Sequence, residues 1–209
     1  MALANLVPCS VGGGMRRLAG VAGAVLIGLA SPAAAQIVAP VQTLDGLDGA
    51  ADIKFRFYDV PGTDPRAIRE GLKRLGPTDE TDGKRVDALT RWSYNWRWQS
   101  RTTAGVCKIT SVTLDLSIEV TLPRLSDANR LSGGTRDRWN VYMIALRRHE
   151  LGHVEIARKH MDAIRRAVES ASCAEANDAA RSLLATVRDE NARYDVETRH
   201  GARQGVVFP

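Results

Sequence analysis

Cysteine is scarce in this chain, with three in 209 residues, and Cys9 falls in a segment that reads as removable. The remaining pair, Cys107 and Cys173, is too small and too far in sequence from the histidines for a cysteine-rich zinc knuckle. Long apolar runs are also missing. The stretch Leu18 to Ala30 holds only about thirteen residues, against the roughly twenty that a membrane-spanning helix needs. The formal net charge is +5, yet the arginines are scattered and interleaved with Asp and Glu. No basic stripe of the kind that binds nucleic acid results. There is no internal repeat, no low-complexity segment, and no legible specificity pocket, activation segment or oligomerisation signal.

The N-terminus sets the expected compartment. Arg16-Arg17, the apolar stretch, Ser31-Pro32 and the small triplet Ala33-Ala34-Ala35 read as a secretory signal cleaved before Gln36, with Met15 an alternative start. The expected organisation is a signal peptide over 1–35, a loose lead-in over 36–52 and one domain over 53–209. About 174 mature residues suffice for a single core. Periplasmic or secreted export follows, and in an oxidising compartment Cys107 and Cys173 are expected to pair.

Strand-type and helix-type patterns occupy different halves of the chain. "IKFRFYDV", Ile53 to Val60, alternates like a strand, and Pro65 to Leu75 reads as a short helix opened by Asp64-Pro65. In "RWSYNWRW", Trp92, Tyr94, Trp96 and Trp98 share one strand face, read as core facing rather than ligand stacking. Val112 to Leu122 alternates without fault, and Pro123 is expected to end it. Beyond a Gly/Ser/Asn loop, 127–135, one helical stretch is expected over Arg136 to Ala171 and a second over Glu175 to Thr198. Strands first and helices later indicate an α+β domain, with an antiparallel sheet packed against a long helix and a second helix antiparallel to it.

The long helix carries "HELGH". Four residues is just over one helical turn, so His149 and His153 leave the same face with room for one ion between them. Zn²⁺ is the expected ion, with Glu150 beside it to take a proton from water. His160 lies about 10 Å further along the helix and is too far to share that ion. An antiparallel second helix returns "YDVETRHG" to the level of the site. Within it Asp195, Glu197 and His200 could each bind zinc, and His200 is favoured as third ligand, because Gly201 follows as a helix-ending residue would. Asp195 is then a carboxylate that orients a ligand histidine, and Tyr194 a donor to an oxyanion. Alternatively Asp195 ligates directly with His200 as transition-state donor, or these residues simply cap the helix.

With these residues placed, the sequence resembles the bacterial domain-of-unknown-function family 922. The resemblance rests on "WSYNWRW", the "GVC" and "TLP" segments, "HELGH", a cysteine after that helix, and "YDVETRHG". It implies a secreted zinc-dependent protease of the zincin type, in which an edge strand above the active-site helix takes up an extended peptide. The metzincin continuation is absent, since Ile156 and Lys159 occupy the places of its glycine and third histidine. A peptide or protein substrate is therefore expected, hydrolysed by a zinc metallopeptidase. The alternatives are a non-catalytic binder of peptides or cell-wall glycans, and a zinc amidase acting on cell wall.

Overall fold

The computed structural model describes residues 53–80 and 83–208. The expected signal peptide and lead-in therefore lie outside the described residues, as does Cys9. Strand β1, Ile53–Val60, is followed by helix α1, Pro65–Leu75, and then by the long hairpin β2, Leu89–Thr103, and β3, Val106–Leu125. Helices α2, Gly133–Lys159, α3, Met161–Ser170, and α4, Ala176–Thr198, complete the domain.

The α+β class is as expected, but the sheet is mixed. Strand order is β1-β3-β2, with β2 antiparallel to β3 and β1 parallel to it. The expectation of an antiparallel sheet overlooked the connection. β1 and β3 are not joined by a hairpin, because α1 and the whole of β2 intervene, which gives the chain the crossover that parallel pairing requires. β3 is also longer than its clean alternation suggested and runs through Pro123. This is tolerated because β2 pairing ends at Leu89↔Thr121, so Pro123 has a strand partner, Tyr58, on one side only.

Both hairpin strands turn the same face to the helices. Trp92 and Tyr94 are buried beside Leu116, Ile118, Val120 and Leu122, so the front half of the aromatic stripe is core. The Tyr94 hydroxyl donates to the Ala157 carbonyl of α2, and Trp96 Nε1 donates to Asn177 Oδ1 of α4 at 3.0 Å. Polar side chains of the strands thus tie the sheet to two helices as well as packing against them.

The single expected helix is two. It starts at Gly133, where the Ser132 hydroxyl accepts from Thr135 N, and stops at Lys159. His160 ends α2 and precedes α3; its Nε2 meets Glu190 Oε2 of α4 at 2.7 Å. With Lys159 also paired to Glu190, the junction is pinned to α4. Cys107, at the start of β3, is bonded to Cys173 between α3 and α4, with 6.0 Å between Cα atoms. The expected disulfide is therefore present, and a bridge between Lys108 and Ser172 runs beside it. Among the described residues no helix is long and apolar enough to cross a membrane.

Candidate metal centre

α4 runs back along α2, so that residues later in α4 meet residues earlier in α2. Asn191 and Asp195 are one turn apart on α4 and both reach His153: Asn191 Oδ1 lies 2.8 Å from Nδ1 and Asp195 Oδ1 lies 3.1 Å from Nε2. His149 is held in the same way. Its Nδ1 lies 2.9 Å from Gln204 Oε1 and its Nε2 lies 3.2 Å from the same Asp195 oxygen. His149, Glu150 and His153 are 4 %, 3 % and 9 % exposed, buried polar groups in an otherwise apolar core.

These contacts determine what the cluster can hold. Amide oxygens are acceptors, so each imidazole carries a proton on Nδ1 and turns Nε2 toward Asp195. Two Nε2 lone pairs and a carboxylate oxygen cannot face one another without positive charge between them. A cation bound between them would supply that charge. His149, His153 and Asp195 each offer one ligand atom, all within 4.8 Å of one another. Tetrahedral ligands at about 2.0–2.1 Å from zinc lie about 3.3 Å apart, close to the 3.1 and 3.2 Å between Asp195 and the two imidazoles. The donor set and its spacing fit Zn²⁺. Without metal, burial opposes the charge on Asp195, but hydrogen bonds from the two histidines hold its carboxyl far below the usual range. Burial likewise works against charge on His153, and Asp195 and Glu150 outweigh it, leaving its pKa raised.

Glu150 lies one residue from His149 and faces the sheet. Its Oε2 accepts from Thr90 Oγ1 of β2 at 2.6 Å. Burial raises its pKa, partly offset by His153, Thr90 and His149, which is the direction suited to a carboxylate that must take up a proton.

Three residues of "YDVETRHG" take positions that differ from the favoured assignment, and Asp195 takes the one its alternative gave it. Asp195, expected to support a ligand, is in the cluster. His200, expected as third ligand, is 65 % exposed, with Nδ1 3.8 Å from Asp195 Oδ1. The reason is local. α4 continues to Thr198, which keeps Asp195 on the inward helical face, whereas Arg199 and His200 have φ of 52° and 50° and turn the chain away. Tyr194, expected as an oxyanion donor, donates to the His149 carbonyl at 3.2 Å and accepts from Gln204 Nε2 at 3.0 Å. Its ring stacks on His149 with centroids 5.1 Å apart. It also explains the glycine of "HELGH": a Cβ on Gly152 would lie 2.2 Å from the Tyr194 hydroxyl oxygen.

Asn191 and Gln204 were missed by sequence reasoning. Asn191 could have been found one turn before Asp195 on the same face. Gln204 carries no such signal, since it reaches His149 only through the turn at Gly201, whose φ of 77° and lack of a Cβ let the chain pass against the His149 ring and Val206.

No curated protein and no solved structure matches the chain. A family model does, over residues 55–201, which takes in β1 through the turn at Gly201 and every residue of the cluster. On that match the chain belongs to the family described as bacterial protein of unknown function (DUF922).

Proposed function

We propose that the protein is a zinc-dependent metallopeptidase, exported to the periplasm or secreted, on a zincin-like fold. The observation that carries this reading is the convergence of His149 Nε2, His153 Nε2 and Asp195 Oδ1, with both Nδ1 atoms fixed by amide oxygens, beside a buried carboxylate. A purely structural zinc site has no use for Glu150 and normally carries a fourth protein ligand. Zn²⁺ in this cluster would supply the Lewis acidity that lets a water give up its proton near neutral pH. His149, His153 and Asp195 would hold the ion, and Glu150 would take the proton from the attacking water and pass it to the leaving amine. Asn191 and Gln204 keep the imidazoles turned toward the ion. His200, exposed and with Nδ1 3.8 Å from Asp195 Oδ1, would in this reading meet the substrate rather than the metal.

The sheet order supports a peptide substrate. β2 is an edge strand in the order β1-β3-β2, and its Thr90 touches Glu150. An extended peptide added to that edge would pass the reacting groups. Export is supported by the signal-like N-terminus and is consistent with the Cys107–Cys173 disulfide.

The test is metal analysis of the purified protein combined with digestion of an unbiased peptide library. Stoichiometric zinc and cleavage are expected, and Glu150→Gln is expected to keep the zinc while losing at least 10²- to 10⁴-fold in turnover, the range of an acid–base group. Stoichiometric zinc without cleavage of any peptide would replace this reading by a binding protein on the same fold.

A further inference from the structure

We infer that Thr90 is the positioning residue for Glu150: its hydroxyl holds one carboxylate oxygen and so aims the other at the attacking water. The inference rests on the metallopeptidase reading above. In that reading Glu150 must present one oxygen at a defined place, and a glutamate side chain does not do so unaided. The structure ties Oε2 to Thr90 Oγ1 at 2.6 Å, the short distance of a hydroxyl donating to a carboxylate. On this inference Oε1 is the oxygen left free for the reaction.

Thr90 can act as a fixed point because both its side chain and its strand are held. β-branching restricts its χ1, so the hydroxyl position follows from the backbone. Thr90 is paired with Val120, a fully buried residue of the central strand. Three residues upstream, Asp87 is clamped from three elements. Arg69 of α1 donates to it through both terminal guanidinium nitrogens, one at 2.8 Å, and the Tyr142 hydroxyl of α2 donates to Asp87 Oδ2, also at 2.8 Å. The Tyr58 hydroxyl of β1 donates to its backbone carbonyl at 2.7 Å. Tyr142 is two helical turns before Glu150 on α2, so Asp87, just ahead of β2, and Thr90 within it are both fastened to α2, in addition to the Tyr94 hydroxyl on the Ala157 carbonyl. Catalytic groups must be held to within about 0.5 Å of the productive geometry, and a misplacement of about 1 Å can cost about 10²-fold. The double fastening is a device for that tolerance.

Thr90→Val keeps the shape and removes the donor; Thr90→Ser keeps the donor. On a peptide identified from the library, Thr90→Val is expected to lower kcat about 10- to 100-fold with KM and zinc content unchanged, and Thr90→Ser to restore most of it. In a Glu150→Gln background the valine should cost nothing further, because its effect passes through the carboxylate. An unchanged kcat, or an equal loss in both backgrounds, overturns the inference. Should valine prevent folding, Thr90→Ala is measured in the same way. If the zinc-loaded wild type cleaves no peptide, the metallopeptidase reading has failed separately, and crystal structures of wild type and Thr90→Val decide the present point. A Glu150 carboxylate that turns away in the variant supports it, and one that stays in place overturns it.

Discussion

Removing the amide groups that hold the two imidazoles is the sharpest probe of the proposed metal centre, because neither amide would touch the ion. Asn191→Ala deletes the acceptor 2.8 Å from His153 Nδ1, and Gln204→Ala deletes the one 2.9 Å from His149 Nδ1. Loss of such an orienting partner typically weakens metal binding about 10- to 100-fold, or about 1.4–2.8 kcal/mol. Each amide serves a different histidine, so the double variant should lose about 10²- to 10⁴-fold if the effects are independent. The cost to the fold is smaller. Each deletion removes hydrogen bonds worth about 0.5–1.5 kcal/mol apiece, two at Asn191, which also donates to the Val187 carbonyl. Gln204→Ala likewise removes two, since Tyr194 loses a donor at the same time. Competition with a chromophoric zinc chelator at fixed pH gives the affinities, and far-UV circular dichroism confirms that the variants are folded. If both folded single variants bind zinc within about threefold of wild type, well short of the range for an orienting partner, the reasoning from Nδ1 to Nε2 to metal is wrong.

Asp195→Ala should abolish stoichiometric zinc while His200→Ala retains it, read by metal analysis after gel filtration; the reverse result would exchange the two residues' roles. Replacing Cys107 and Cys173 by serine should destabilise the protein by about 4 kcal/mol in denaturant unfolding, from loop-closure entropy at a sequence separation of 66. The pH dependence has a definite sign. The His153 pKa is raised above 6.5 in the metal-free fold, so its stabilising contribution is full below 6.5 and is lost as pH rises through the raised value. Asp195 is depressed, so its contribution is present above its unfolded pKa and lost only in strong acid as pH falls through the folded one. Metal-free protein should therefore lose stability as pH rises above 6.5 through the raised His153 value, and zinc should restore more of it the higher the pH, since protons compete for the same Nε2 atoms. Thermal melts with and without zinc across that range check this, and a zinc-induced shift independent of pH would contradict it.

How far the site could be read from the chain depended on whether its parts were local. His149, Glu150 and His153 lie within two turns of one helix, and helical period alone places both imidazoles on one face and the carboxylate beside them. Strands β1 and β2 and helices α1 and α4 were legible for the same reason, since period-2 and period-3.6 patterns are properties of neighbouring residues. Pairing is not such a property. β1 lies parallel to β3 because a helix and a strand come between them, and no residue of "IKFRFYDV" states a direction. The break at His160 was hidden because helical period continues through it, and the junction is set by Glu190, thirty residues on. The end of α4 at Thr198 was legible, but the choice between Asp195 and His200 turned on the left-handed residues that follow it, Arg199 and His200. Thr90, Asn191 and Gln204 come to Glu150 and the two histidines from β2, α4 and the C-terminal turn, across 60, 38 and 55 residues. The sequence by itself determined which side chains could bind a metal and take up a proton. Only the tertiary structure decided which oxygen completes the cluster and what aims its members, because hydrogen-bond partners are selected by distance in space.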